Sequence, residues 1–282
     1  MTTFHHTQPH LSHAVAPLTQ DVAVLDEFGL TRQIQIPAER ALTVFVDKRE
    51  LVTLMTLGAS PELLVLGYLR NQRLVDSVAD VESVTVDWDV SAAAVKTRSG
   101  IEAFDTKTAK RVVTTGCGQG TVFGDLMSDL DRLELPPATE PCARLSQATL
   151  YGLLNAIRLQ ESTYKSAGSV HGCALFKQDE LLTFVEDVGR HNAVDTIAGW
   201  MWMNAVTGGD KIFYTTGRLT SEMVIKAAQM GVPVIVSRSG ITQMGWQLAQ
   251  QLGLCLFGRA TNRHFICYSG FERFDSMPEP TR

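Results

Sequence analysis

The sequence predicts an α/β protein in which a small α+β unit precedes a larger domain, built on a mixed sheet covered by helices on both faces. Three observations predict it. From SQATLYGLLNAIRLQES onward, helical patterns alternate with short apolar strands such as VPVIVS, the arrangement of strands buried between helices. Before residue 130 strand patterns dominate, with one clear helix start at Ser60-Pro61-Glu62. Between the two lies DRLELPPATEP, residues 131–141, whose three prolines interrupt regular structure and mark a linker. The chain therefore divides into a loose arm over 1–20, an α+β subdomain over 21–130, the linker over 131–141, and the sheet domain over 142–282.

Each element has its own signal. The arm holds His5, His6, His10 and His13, and its polar composition fits a disordered terminus better than a metal site. VAVLDEF and TRQIQI read as strands, and LTVFVD and ELVTLMT as a hairpin meeting at the charged turn Asp47-Lys48-Arg49-Glu50. Ser60 reads as the N-cap and Pro61 as the first residue of the next helix. VESVTVDWDV and AAAVKT read as strands. Beyond the linker, Ser146 heads a helix striped by Leu150, Leu153, Leu154 and Ile157. HGCALF and LLTFVED are strands joined by KQDE, a short turn that makes the sheet mixed. HNAVDTIAGWMWMNAV is helical, with Trp200 and Trp202 as core or dimer contacts. DKIFYTTG, VPVIVS, LCLFGRA and HFICYS complete the strands, and Gly231 and Gly253 close the helices LTSEMVIKAAQM and TQMGWQLAQQL.

Composition narrows the function. Hydrophobic residues make up 45% of the 282, enough for a substantial core. A net charge of -5 argues against a general nucleic-acid surface. No apolar run reaches membrane-span length and no basic flank precedes an apolar stretch at the start, so neither a membrane anchor nor a secretion signal is expected. Five cysteines, at 117, 142, 173, 255 and 267, are odd in number and widely spaced, which argues for reduced thiols and a cytoplasmic location.

The most informative segment is RVVTTGCGQGTVFG, residues 111–124. It sets Cys117 between glycines after a β-rich run, where the backbone turns and little covers the thiol. Free backbone N–H groups there favour a thiolate and a covalent, sulfur-handling nucleophile, although cysteine is also a common small core residue. Polar clusters also sit at strand ends. Arg190, His191 and Asn192 follow LLTFVED, and a helix starting at Asn192 would put Asp195 beside His191 to orient the imidazole; a helix cap with an ion pair fits the same residues. Thr215-Thr216-Gly217-Arg218 and Ser237-Arg238-Ser239-Gly240 each join a strand to a helix. Neither is a Walker loop, and together they suit an anionic ligand carrying phosphates. His171 and Cys173 lack the His-x-Glu and Cys-x-x-Cys pattern of a zinc deaminase, and no metal site is expected.

Across roughly residues 30–270 the chain resembles the FdhD family of formate dehydrogenase accessory sulfurtransferases. VHGCALF, EDVGRHNAVD, TTGRLTSEMVIKAAQMGVPVIVSRSGITQMGWQLAQQLG and LCLFGRA carry the resemblance, and LTVFVDKRELVTLMTLGASPELLVLGYLRNQRL fits the family's first half. The resemblance implies a cytidine-deaminase-like three-layer domain without the deaminase zinc. It implies that a cysteine desulfurase loads a persulfide on the loop cysteine, matched here by Cys117. That sulfur passes to the molybdenum of a bis-molybdopterin guanine dinucleotide cofactor destined for formate dehydrogenase. It implies a homodimer, and a cofactor-binding stretch matched by Phe257, Gly258, Arg259, Ala260, Thr261 and Asn262; Arg218, Arg238, Arg190 and His191 are expected to assist, with GDP as a surrogate ligand. Familiar members carry Gly-Cys-Gly-x-Cys-Gly, whereas this chain has Gly116-Cys117-Gly118-Gln119-Gly120-Thr121. A disulfide within the loop is thereby excluded, but a persulfide relay through one thiol is not. A chaperone that inserts the cofactor without moving sulfur, and a ligand-free structural partner of the dehydrogenase, are the alternatives.

Overall fold

The structure, a computed structural model, describes residues 8–101, 112–113, 120–121 and 133–277. In chain order the first strands are β1 (His10–Leu11), β2 (Thr19–Leu25), β3 (Thr31–Pro37), β4 (Arg40–Val46) and β5 (Arg49–Thr56), followed by helix α1 (Pro61–Asn71). Next come β6 (Val81–Asp87), β7 (Ala92–Thr97), β8 (Val112–Val113), β9 (Gly120–Thr121) and β10 (Leu145–Ser146). Helices α2 (Gln147–Leu159) and α3 (Thr163–Ala167) precede β11 (His171–Lys177), β12 (Glu180–Asp187) and α4 (Arg190–Met203). The last part runs β13 (Ile212–Thr215), α5 (Ser221–Gln229), β14 (Val234–Ser237), α6 (Gln243–Gln251), β15 (Cys255–Thr261), β16 (His264–Ser269) and β17 (Phe274–Asp275).

Two compact units emerge, and neither is contiguous. The first comprises Met1–Phe123, Ser162–Val170 and Glu186–Ala205; the second comprises the rest. The prolines at 131–141 thus do not mark a single boundary, because two later segments return to the first unit.

In the first unit a five-stranded sheet has the order β1-β6-β7-β4-β5. The hairpin expected at Asp47–Glu50 forms as β4 and β5, antiparallel, with Asp47 and Lys48 at positive φ in the turn. Apolar residues of the sheet, such as Leu42, Val44, Leu54, Val84 and Val95, form one core with Leu66 and Leu69 of α1. The loose arm is corrected over its described part. His10 and Leu11 pair in parallel with Ser83 and Val84, and Ser12 Oγ donates to Glu62 at 2.5 Å. Ser60 is the N-cap and Pro61 the first residue of α1, as the sequence indicates, but at ψ 68° the Ser60 hydroxyl makes no capping bond and the Leu64 N–H donates to the Ser60 carbonyl at 3.0 Å. Helix α4 packs on α1 through two glycines. A methyl group on Gly67 would lie 1.6 Å from the Asp195 carbonyl oxygen, and one on Gly199 would lie 2.0 Å from that of Leu63. Beside this crossing, Arg70 donates to the Ala198 carbonyl at 3.0 Å and lies over the Trp202 ring at 5.3 Å. Burial lowers its pKa to about 10. Val112 and Val113 pair antiparallel with Thr121 and Gly120.

The second unit is built on a six-stranded mixed sheet of order β12-β11-β13-β14-β15-β16. β13, β14 and β15 are mutually parallel, while β11 and β16 run antiparallel to their neighbours. Leu150, Leu153 and Leu154 of α2, capped by Ser146 as its sequence indicates, share a core with Ala174, Tyr214, Val236 and Phe257. The alternate residues Phe213, Ile235 and Leu256 are fully buried too, so both faces of the sheet are covered. Helices α5 and α6 are the crossovers between parallel strands, each ended by a glycine at positive φ, Gly231 and Gly253.

Candidate functional site

Three parallel strands end side by side, and the second unit's polar residues gather there. Thr215 and Ser237, the last residues of β13 and β14, stand in register and are fully buried. Their hydroxyls fold the following loops back on the sheet. Thr215 Oγ1 accepts from the Gly217 N–H at 3.0 Å and from the Cys173 thiol at 3.3 Å. Ser237 Oγ donates to the Gly217 carbonyl at 2.7 Å and accepts from the Ser239 N–H at 2.9 Å. The Arg238 N–H donates to the Thr215 carbonyl at 3.0 Å, and the Leu219 N–H to that of Gly240 at 2.9 Å. These bonds tie the loop backbones to the strand ends and to each other, and Arg218 and Arg238 are exposed on them. Burial pushes the Tyr214 phenol up to about 12, with the Arg238 charge opposing and Cys173 adding, so the phenol stays neutral.

The β15 segment adds a third arginine. A register shift between Gly258 and Thr261 marks a bulge, within which Arg259 adopts φ +51°. Left-handed backbone is uncommon for a residue with a long side chain, and bulges are known to re-aim side chains beside sites. The Arg259 N–H donates to the Ser239 carbonyl at 2.8 Å, tying β15 to the loop after β14. Gly258 is tightly enclosed: a methyl there would meet Tyr268 Cε2 at 2.8 Å and the Ser239 carbonyl oxygen at 3.1 Å, so the ring would have to move. Of the six residues in the expected cofactor stretch, Phe257 lies buried between the Phe265 and Phe274 rings, at 5.6 and 4.9 Å. Gly258 and Ala260 are buried as well, which leaves Arg259, Thr261 and Asn262 exposed.

Arg190 and His191 occupy the first turn of α4 in the first unit and are buried. The helix starts two residues earlier than Asn192, and Asp195 Oδ1 accepts from Asn71 Nδ2 at 2.6 Å. A feature the sequence hides is the buried Asp187 carboxylate. It accepts from Thr56 Oγ1 at 2.5 Å, the Leu57 N–H at 3.1 Å, the Gly189 N–H at 3.0 Å and Asn192 Nδ2 at 2.8 Å. It therefore pins the end of β5 to the turn that starts α4. Burial raises its pKa, with those four donors pulling the other way. Asp187→Ala strands the donors and is expected to cost about 3 kcal/mol, read from denaturant midpoints; a midpoint equal to wild type would show the network to be incidental. Because the folded pKa is raised, the Asp187 contribution is full below the ordinary carboxylate value and is lost as pH rises through the raised one. That slope should be absent from the variant.

Cys117 lies outside the described residues, between β8 and β9 in the sequence. Cys142 is exposed and Cys173 buried. Cys255 and Cys267 act on each other. A hydrogen bond between the two thiols pushes Cys255 up and holds Cys267 below its usual range. Sequence reading also missed Tyr151, Asn155, Arg158 and Arg263, which line a cleft with Leu154 and Asn262. Among the described residues no cluster of three or more His, Cys, Asp or Glu could hold a metal, and no helix is long and apolar enough to cross a membrane.

The sulfur carrier protein FdhD of Bacillus licheniformis is 30% identical over 245 residues, covering 85% of this chain and 89% of its own. That of Bacillus subtilis is 29% identical over 236 residues, covering 83% and 88%. The crystal structure of a candidate formate dehydrogenase accessory protein from Desulfotalea psychrophila superposes with a TM-score of 0.71 over 92% of this chain and all of its own; at 22% identity it shows the shared fold. The model of the FdhD/NarQ family matches residues 37–275, from the end of β3 to the end of β17, and the chain belongs to that family.

Proposed function

We propose that this protein is a sulfur carrier that takes persulfide sulfur from a cysteine desulfurase onto Cys117 and passes it to a molybdenum bis-molybdopterin guanine dinucleotide cofactor. Its role is sulfur relay in the maturation of formate dehydrogenase. The family and the curated relatives named sulfur carrier protein support the relay. Loading needs one thiol: the Cys117 thiolate attacks the outer sulfur of the desulfurase persulfide, a new S–S bond forms, and the desulfurase thiolate leaves. The reading makes the desulfurase and the dehydrogenase its partners, the cytoplasm its compartment and a homodimer its working state.

The observation that carries the cofactor part is a set of three exposed arginines: Arg218 and Arg238 on the loops after β13 and β14, which buried hydroxyls fix, and Arg259 in the β15 bulge, tied to the Ser239 carbonyl. Ligands of open α/β sheets bind at such ends, and guanidinium groups pair with phosphate oxygens bidentately. The cofactor is substrate here, and its phosphates are the part these residues can hold. Calorimetry with GDP as the surrogate tests it. Arg218→Ala and Arg238→Ala should each cost about 1.5–3 kcal/mol of binding, the usual worth of a charged hydrogen bond. Unchanged affinity in both variants would place the nucleotide elsewhere.

A further inference from the structure

Cys255 and Cys267 lie on the last two strands of the second unit's sheet. β16 ends that sheet and pairs only with β15. The two strands are antiparallel, with an irregularity that sets Leu256 opposite Ser269 and Phe257 opposite Cys267. Cys255 stands two residues before Phe257, so it projects from the same face of the sheet. That face is the one covered by Leu150, Leu153 and Leu154 of α2: Cys255 belongs to their core, and Cys267 packs against it. The two thiols are hydrogen-bonded to each other across the strands, and the Cys267 thiol also reaches the Ser269 carbonyl at 3.5 Å. Cys255 is fully buried, whereas Cys267 is half-buried.

Packing alone asks for small apolar volume at these positions and does not require the sulfurs to meet. Contact between two free thiols, one sealed and one within reach of small molecules, is what an oxidisable pair requires. We propose that Cys255 and Cys267 form a redox-sensitive pair that a peroxide converts to a reversible disulfide, pinning β16 to the sheet. Cys267 reacts first, because it is the more accessible and the hydrogen bond from Cys255 favours its thiolate. The thiolate attacks one peroxide oxygen: an S–O bond forms, the O–O bond breaks, and the departing hydroxide takes up the proton that Cys267 gave up. The Cys267 sulfur has then lost two electrons and is a sulfenic acid. The Cys255 sulfur attacks it: the S–S bond forms, the S–O bond breaks, and the oxygen leaves with the Cys255 proton as water. Closing the pair to an S–S length of about 2.05 Å draws the strands together locally, and β16 can yield because only one of its sides is paired. A half-buried thiol admits a peroxide but not a protein persulfide, so the pair is separate from the relay through Cys117.

Peptide mapping of the full chain tests this. Trypsin cuts after Arg238, Arg259, Arg263 and Arg273, which places Cys255 in the peptide 239–259 and Cys267 in the peptide 264–273. The wild-type chain is exposed briefly to hydrogen peroxide, and its remaining thiols are alkylated in denaturant. The two peptides should then appear joined, lighter by two hydrogens than their sum, and should separate on reduction. The same link should form in Cys117→Ala, which shows that it owes nothing to the relay thiol. In Cys255→Ala the resolving thiol is gone, and Cys267 should gain oxygen instead. Oxidised wild type should also unfold at a higher denaturant midpoint than the reduced chain, because the link removes freedom from the unfolded state; neither Cys255→Ala nor Cys267→Ala should show that rise. Cys255 and Cys267 both alkylated after a peroxide dose that oxidises the exposed Cys142 would overturn the pair. Cys267 joined to Cys117 or Cys142 instead of Cys255 would overturn it as well. A link between Cys255 and Cys267 that leaves the midpoint unchanged would overturn the pinning of β16.

Discussion

Cys117→Ala is expected to abolish both sulfur loading and the activation of formate dehydrogenase, the largest functional effect available from one substitution. Incubation of the wild-type chain with a cysteine desulfurase and cysteine should raise its intact mass by about 32 Da for each sulfur gained as persulfide, reversed by reductant. The variant should gain nothing, because the other four cysteines lack its glycine surroundings and two of them, Cys173 and Cys255, are buried. The experiment also separates the relay from a chaperone that only inserts the cofactor. A Cys117→Ala protein that activates the dehydrogenase fully would leave the chaperone and remove the relay. With Gln119 and Thr121 flanking Gly120 where relatives carry a second cysteine, no neighbouring thiol in this loop can substitute.

The largest effect on stability is expected at the crossing of α1 and α4. A methyl group on Gly67 would sit 1.6 Å from a backbone carbonyl oxygen, and the same holds in reverse at Gly199, at 2.0 Å. No rotamer change relieves a clash with backbone, so the helices must move apart and release the core that Leu66 and Leu69 share with the sheet. Alanine gains about 1 kcal/mol over glycine as a helix former, but overpacking against rigid atoms costs about 3 kcal/mol or more. Gly67→Ala should therefore lose about 2 kcal/mol net, a large share of a typical domain's stability, and Gly67→Leu should not fold. Denaturant titration decides it. A Gly67→Ala protein as stable as wild type, or more so, would mean that the helices part at little cost.

The elements that were legible in the sequence are those with a local period or a local terminus. Leu150, Leu153, Leu154 and Ile157 mark α2, and Ser146 caps it, because both signals lie within one stretch of chain. The exposed strand-to-helix positions of Arg218 and Arg238 were legible because each follows an apolar strand and precedes a helix. What stayed hidden depends on distant partners. Two residues of β1 pair with a strand more than seventy positions later, and nothing in His10-Leu11 encodes that. α4 is buried all round from Arg190 to Gly199; without an exposed face its pattern cannot say which unit it joins. The cleft escaped notice because tyrosine, asparagine and arginine on a helix surface look ordinary until Arg263 arrives from the far end of the sequence. Asp187 looked like one more loop acid, since three of its four donors reach it from Thr56, Leu57 and Asn192 only after folding.

The interleaving of the two units bears on synthesis. The first unit is not complete when residue 123 leaves the ribosome; it still awaits α4, which ends at Met203. At about 5–20 residues per second, the growing chain holds the apolar face of α1 without its partner for several seconds or more. Holdase chaperones on the nascent chain would have their greatest effect in this window. Fragments ending between residues 123 and 203 should be prone to aggregation and proteolysis, whatever the stability of the finished protein.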